Sequence, residues 1–283
     1  MNNYFVEVSV TYRNAVLRLS RAGIEDAPLE ARLLFEHFCT LSATELMFRR
    51  DEDFSSSELE SAISRREARQ PLQYILGEWE FFGLPFSLNA DTLIPRPDTE
   101  TVVEQAIKLL PRGARFCDIG TGSGAIAVSV LHARQDTFAV AVDINENALA
   151  AALQNARANG VADRFTPRLA DALSPWLLSG ERFDAIISNP PYIASAEVDA
   201  LAPELAFEPR RALDGGEDGY DFYHALTRRA ADILADGGFV LYEVGAGMAQ
   251  SVCELGRALG YAAEVFPDLS GIERAVLLKK ERK

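Results

Sequence analysis

Arg115-Phe116-Cys117-Asp118-Ile119-Gly120-Thr121-Gly122-Ser123-Gly124 runs from a short apolar stretch into three glycines within five positions, and the next ten residues, AIAVSVLHAR, have the apolar spacing of a helix. A buried strand that turns on glycine into a helix sets the frame for everything after it. FAVAVDI (138–144) reads as a second strand, and NENALAAALQNARANG (145–160) as a helix opening on Asn145 and closing at Gly160. The rhythm continues through FDAIISN (183–189), DFYHALTRRAADILADGG (221–238), FVLYEVG (239–245), MAQSVCELGRALG (248–260) and AVLLKK (275–280). Alternation of this kind predicts an α/β fold, with a mostly parallel sheet covered by helices on both faces.

The region in front has a different texture. Apolar positions recur at spacings of three and four, which predicts short helices. Pro28 suits a first helical position ahead of LEARLLFEHF, Ser42 with Glu45 forms a capping box, and Ser55 with Glu58 forms another. The last of these helices is expected to stop at Gln70, because Pro71 disfavours helical geometry in the residue before it. EWEFFGLPFSL (78–88) pairs aromatics around Gly83 and Pro85, the pattern of a hairpin or extended linker. The expected organisation is a helical domain over 1–75, a hairpin linker over 76–92 and an α/β domain over 93–283.

Composition limits the function classes. The 283 residues are 48% hydrophobic and 25% charged, as in an ordinary globular chain. Against 28 basic residues stand 42 acidic ones, and the formal charge of −14 disfavours wholesale binding to a phosphate backbone. Cys39, Cys117 and Cys253 are odd in number and far apart, suggesting neither a disulfide framework nor a zinc site. No run has the length of a membrane span, and the start MNNYFVEVSV lacks the features of an export signal, so a cytoplasmic protein is expected. KKERK at the end reads as a solvated tail.

The glycine turn points to a nucleotide-like ligand whose atoms touch the backbone. Asp143, 23 residues beyond Gly120 at the end of the second strand, stands where a carboxylate accepts hydrogen bonds from both ribose hydroxyls. The spacing is G-x-G-x-G with Asp118 immediately upstream, and an acidic rim suits a cationic ligand such as S-adenosylmethionine better than a pyrophosphate. Asp118, Gly120, Thr121, Gly122, Ser123, Gly124 and Asp143 are therefore candidate cofactor residues. Asp171 is a candidate for the adenine amino group, with Ala172 beside it for backbone or packing contact. The plainer alternatives are that the glycines only make room for helix against strand, that Asp143 caps the next helix, and that Asp171 is a solvated loop acid.

Asn189-Pro190-Pro191-Tyr192 follows the fourth strand, at the rim where open α/β sheets bind ligands. Two prolines stiffen the loop and remove its N–H donors. The two hydrogens of a planar NH2 group, a carboxamide or an exocyclic base amine, match the Asn189 side-chain oxygen and the Pro190 carbonyl. Asn189, Pro190 and Tyr192 are candidate catalytic residues and Asn189 to Tyr192, with Pro191, the candidate acceptor site. Asn189 also stands beside the cofactor. Tyr192 is expected to lie on the flat face of the acceptor and exclude water. The alternative is a rigid turn, since Asn and Pro are ordinary turn formers.

These residues resemble a known family. DIGTGSG, the acidic residue ending the next strand and NPPY look like class I, Rossmann-like methyltransferases acting on planar amides or amines. QPLQYILGEWEFFG (70–83), LIPRPDTE (93–100), EPRRALDGGEDG (208–219) and DLSGIERAV (268–276) are similar to the PrmC/HemK family, protein-glutamine N5-methyltransferases specific for peptide chain release factors. The resemblance spans nearly the whole chain. It implies S-adenosylmethionine as methyl donor, the glutamine of a Gly-Gly-Gln loop as target, a helical domain that recognises the release factor, and Pro95, Arg96, Thr99 and Glu100 lining the cofactor cleft. A monomer needing no nucleic acid or membrane is expected. Ala172 departs from the family, where an aromatic residue often stands in that place. His37, His132 and His224 have no ligand set around them, and Trp79 and Trp176 read as packing residues. LDGGEDGYDF (213–222) lacks an EF-hand register and is expected to be a loop near the substrate mouth. The rivals are an N6-adenine or N2-guanine nucleic-acid methyltransferase and a non-catalytic S-adenosylmethionine-binding module.

Overall fold

The structure is a computed structural model that describes residues 6–174 and 178–280, so Trp176 and the last three residues of KKERK lie outside the described residues. The chain divides into two compact units, Met1–Gly77 with Ala202–Phe207, and Glu78–Leu201 with Glu208–Lys283. No helix among the described residues is long and apolar enough to cross a membrane.

The first unit contains β1 (Val6–Glu7), α1 (Val8–Arg21), α2 (Ala27–Cys39), α3 (Ala43–Phe48), β2 (Asp53–Phe54), α4 (Ser57–Glu67) and α5 (Leu72–Leu76). Leu19, Leu34, Phe35, Leu59 and Ile63 form its buried interior. The Ser42–Glu45 capping box is present, with Glu45 N–H donating to Ser42 Oγ and Ser42 N–H donating to Glu45 Oε2. Three details differ from the expectation. Ser56 rather than Ser55 caps α4, accepting from Leu59 N–H at 3.2 Å; the register shift puts Leu59 at the third position, so no second box forms. α4 ends at Glu67, not Gln70, because Arg69 already takes a left-handed φ of 70°. Pro71 then caps a further short helix, α5, instead of ending the helical region. A short antiparallel β1–β2 pair also closes part of this unit.

Glu204, from the segment Ala202–Phe207, is ion-paired with Arg66 at 3.1 Å and Arg69 at 2.8 Å. Arg66 is almost wholly buried and also pairs with Glu30. This cluster ties a stretch of chain far along the sequence into the helical unit.

The second unit opens with the expected hairpin, β3 (Glu78–Phe81) and β4 (Leu84–Ser87). It continues with α6 (Glu100–Leu109), β5 (Arg115–Ile119), α7 (Ala125–Ala133), β6 (Phe138–Asp143), α8 (Glu146–Ala158), β7 (Phe165–Leu169), β8 (Phe183–Ser188), α9 (Asp221–Ile233), β9 (Leu234–Glu243), α10 (Ala249–Ala258), β10 (Tyr261–Pro267) and β11 (Glu273–Lys280). Seven strands form one sheet in the order β10-β11-β9-β8-β5-β6-β7. The run from β9 to β7 is parallel, as expected, while β11 and β10 add an antiparallel edge. Residues of β5 alternate between layers: Cys117 and Ile119 join the core with Tyr223, Leu226, Val252 and Cys253 of α9 and α10, while Asp118 turns toward α7. The apolar pattern does not foresee β10, whose exposed positions alternate with its more buried ones. The helix expected over 221–238 ends at Ile233. From Leu234 the chain is strand, and Gly237 with φ 79° is incompatible with continued helix.

The hairpin is joined to the sheet's helices by one buried side chain. Asn155 of α8 accepts from Ser87 N–H at 2.8 Å and donates to Ser87 O at 3.0 Å and to Ser123 O at 2.9 Å. Removing its carboxamide strands three backbone groups, each costing on the order of 1 kcal/mol or more when left dry. Asn155→Ala is expected to lower stability by about 3 kcal/mol in denaturant unfolding, whereas Gln250→Ala, at an exposed position, should change it by less than about 0.5 kcal/mol.

Candidate active site

Chain order sends β5, β6 and β7 outward on one side and brings β8 back to the other side of β5, so the crevice opens above the carboxyl ends of β5 and β8. The glycine turn leaves β5 there and the Asn-Pro-Pro-Tyr turn leaves β8. A methyl group added at Gly120 would lie 3.9 Å from the Asn189 carbonyl oxygen. Ser188 Oγ donates to Ile119 O at 2.6 Å and joins the two strand ends.

A cavity of about 350 Å³ occupies the crevice. Gly120, Gly122, Asp143, Asp171, Ala172, Asn189 and Pro191 line it. The other candidates in the turn do not. Asp118 is buried beneath it, where Oδ2 accepts from Thr121 Oγ1 at 2.7 Å and Ala127 N–H at 3.2 Å, and Oδ1 has no partner among the described residues. Burial, opposed by those two hydrogen bonds, pushes the Asp118 carboxyl up to about 7. Thr121, Ser123 and Gly124 are buried and support the turn. Gly120, Gly122 and Gly124 all have positive φ, and a Cβ at Gly124 would press to 3.1 Å on Ala152 of α8. Asp143 Oδ2 accepts from Gly122 N–H at 3.0 Å, and Oδ1 accepts from Asn145 N–H at 2.9 Å. It thus braces the glycine loop and the start of α8 while facing the cavity. Asp171 is exposed and accepts from Leu173 N–H.

Pro95, Arg96, Thr99 and Glu100 do not line this cavity; Asp91 and Leu93, just upstream, do. Arg96 pairs with buried Glu208, which also accepts from Ile94 N–H. Glu100 accepts from Phe82 N–H at 3.0 Å. Thr99 is buried behind the Asn-Pro-Pro turn, where its Oγ1 accepts from Asn189 Nδ2 at 3.2 Å.

Pro190 is buried, and no backbone N–H among the described residues donates to its carbonyl. The following residues are clasped by the 213–219 loop. Ile193 N–H donates to Leu213 O, Gly215 N–H to Ile193 O, and Ser195 N–H to Gly216 O. A Cβ at Gly215 would fall 2.7 Å from the Pro191 carbonyl, so that glycine permits the close approach. Tyr192 does not line the cavity; its ring lies against Gly245 and the apolar core. Burial, reinforced by the negative charge of Glu243, raises its hydroxyl to about 12.

Sequence reasoning overlooked two residues here. Phe222 of α9 lines the cavity together with Ala172, an aromatic supplied from another element. Glu243, at the end of β9, is 1% exposed and stands beside the side chains of Thr99 and Asn189, both of which favour its charged form. Its signal was available: a lone carboxylate closing an apolar strand, the same pattern that singled out Asp143.

Comparison with known proteins accords with this geometry. Residues 11–77 match the PrmC N-terminal domain and residues 99–244 match the methyltransferase small domain. The chain is 42% identical over 270 residues to the release factor glutamine methyltransferase of Moorella thermoacetica, covering 93% of this chain and 95% of that one. It is also 42% identical over 279 residues to the protein of the same name from Bradyrhizobium diazoefficiens, covering 95% and 93%. A methyltransferase from Pyrococcus furiosus, 20% identical, has a similar fold with a TM-score of 0.55 over 80% of this chain and 100% of that one. With the strand order, the glycine turn and the Asn-Pro-Pro-Tyr turn in place, these relationships show that the chain belongs to the release factor glutamine methyltransferase family.

Proposed function

We propose that this chain binds S-adenosylmethionine in the cavity above β5 and β8 and methylates the side-chain amide nitrogen of the glutamine in the Gly-Gly-Gln loop of a peptide chain release factor. The observation that carries the reading is the meeting of the glycine turn and the Asn-Pro-Pro turn at one cavity, with Gly120 against Asn189. The residues present fit the cofactor. The cavity has the volume of a small-molecule site, glycines let a ligand approach the backbone, and Asp143, Asp171 and Asp91 give it an acidic lining. Asp143 retains lone pairs for ribose hydroxyls beyond its two backbone bonds. Phe222 offers an aromatic face beside Ala172, where the family often has one.

When bound, S-adenosylmethionine supplies a methyl carbon made electrophilic by its sulfonium. The protein's part is alignment. The Asn189 side-chain oxygen and the Pro190 carbonyl accept the two amide hydrogens of the glutamine and hold its nitrogen in place. An amide lone pair is delocalised, and the two acceptors stabilise the positive charge that builds on nitrogen as the N–C bond forms. The donor's S–CH3 bond would break as the N–C bond forms, leaving a neutral thioether, and one amide proton then passes to water. Tyr192, packed behind the turn, holds the loop in shape.

The helical unit is assigned to recognition of the release factor body, supported by its match to the PrmC N-terminal domain and by Met47 and Phe48, which are 76% and 85% exposed. The reading is of a monomer acting on protein, in keeping with the charge of −14.

Incubation with labelled S-adenosylmethionine, release factors and competing nucleic acids should place the label on the Gly-Gly-Gln glutamine by peptide mass spectrometry; label on a nucleobase would overturn the reading. Asn189→Ala is expected to lower turnover by about 100-fold or more while cofactor binding, followed by calorimetry, persists. Asp143→Ala removes a charged acceptor from both the loop and the ligand, and should weaken cofactor binding by about 10- to 100-fold.

A further inference from the structure

Asn189 has a carboxamide whose two ends are nearly equal in shape and opposite in hydrogen-bonding sense. Only one orientation offers an oxygen to an acceptor amide. We propose that Glu243 is a positioning residue that, directly and through Thr99, fixes the Asn189 carboxamide with its nitrogen toward the protein and its oxygen toward the substrate. The inference rests on the reading of Asn189 as an acceptor clamp.

The parallel register pairs Ser188 with Tyr242, so the next residues along, Asn189 and Glu243, leave the strand ends side by side. Glu243 is buried, and its carboxylate stands close enough to the Thr99 and Asn189 side chains for both to favour its charged form. Thr99 Oγ1 lies 3.2 Å from Asn189 Nδ2. A threonine hydroxyl carries one hydrogen. If that hydrogen goes to the Glu243 carboxylate, the Thr99 oxygen is left to accept from Asn189, and the carboxylate accepts from the same NH2 group. A flipped Asn189 would set its oxygen against the carboxylate, acceptor to acceptor. Glu243 Oε2 is buried without a partner among the described residues, so the carboxylate's demand for donors is not met elsewhere.

The device works only while Glu243 accepts. Burial pushes its carboxyl up to about 7; the neighbouring Thr99 hydroxyl is the strongest opposing influence, with Arg274 and Asn189 adding to it, while Asp98 adds to the rise. Tyr192 and Tyr223 also face it, the latter donating to the Glu243 backbone carbonyl at 2.9 Å. The sign follows from the raised value. Below about pH 7 the carboxyl is protonated and can donate to the Asn189 oxygen, favouring the flipped side chain; above it the productive orientation holds. Turnover at saturating donor should therefore rise with pH through about 7. Asp118, raised to about 7 as well, supports the cofactor loop, so its titration is read in cofactor affinity.

The test is Glu243→Gln, with Thr99→Val as second variant, assayed with release factor at saturating S-adenosylmethionine across pH 5.5 to 9, the range that spans the expected titration. Expected for Glu243→Gln are a fall in kcat of about 10- to 100-fold, loss of the acid limb, and unchanged cofactor affinity and melting temperature. Thr99→Val should lower kcat in the same sense. Wild-type kcat and pH profile in Glu243→Gln, with Asn189→Ala inactive, would overturn the inference and leave the clamp standing. A fully active Asn189→Ala would instead remove the clamp itself. Lower kcat with a lower melting temperature and an intact acid limb would assign Glu243 a purely structural part and also overturn the inference. If Glu243→Gln does not fold, Thr99→Val decides: a lowered kcat with the acid limb moved to higher pH supports the inference, and wild-type kcat with an unmoved limb refutes it.

Discussion

The cavity depends on a single turn of chain, Gly120–Gly124, and on the side chains that keep it from relaxing. Three glycines in left-handed geometry take the chain out of regular structure; the Gly120 and Gly124 N–H groups still donate to the Val142 and Thr121 carbonyls, while other polar groups of the turn are met by side chains. Asp118 answers from below through Thr121 and the start of α7, Asp143 from the side through Gly122, and Asn155 through the Ser123 carbonyl. Each of these groups is itself buried or half-buried, so the turn and its supports are mutually required. The cavity exists because the backbone is held open in this way.

The second turn is stiffened by different means. Pro190 and Pro191 contribute no donors, and the chain beyond them is secured by hydrogen bonds exchanged with residues 213–219. Gly215 and Gly219 are needed there because side chains would strike the Pro191 and Tyr192 carbonyls. The acidic, glycine-rich loop, expected from the sequence to lie near the substrate mouth, is the wall against which the Asn-Pro-Pro-Tyr turn is built.

Much of the fold was legible because strand and helix periods differ and glycine and proline punctuate them. The parallel strands, the hairpin and the Asn145 cap follow directly from such signals. The antiparallel edge strand β10 was not, since only alternate positions face the core. At the site, Gly120, Gly122, Asp143 and Asn189 could be named from spacing alone, and the structure brings them to one cavity. Thr99, Phe222 and Glu243 come from three distant stretches, and no local pattern encodes their convergence. Asp118 and Tyr192 carry motif signals yet serve beneath and behind the cavity, because a motif records which residues occur together and not which way each side chain turns.

The ion-paired cluster of Arg66, Arg69 and Glu204 has a topological meaning. Six residues numbered 202–207 belong with the helical unit although the chain on either side of them belongs with the sheet. No single scission can therefore release a whole sheet unit from a whole helical one. A fragment beginning at residue 78 would carry a tether stripped of its arginines, and a fragment ending at residue 77 would leave a buried and a half-buried guanidinium group with one carboxylate missing.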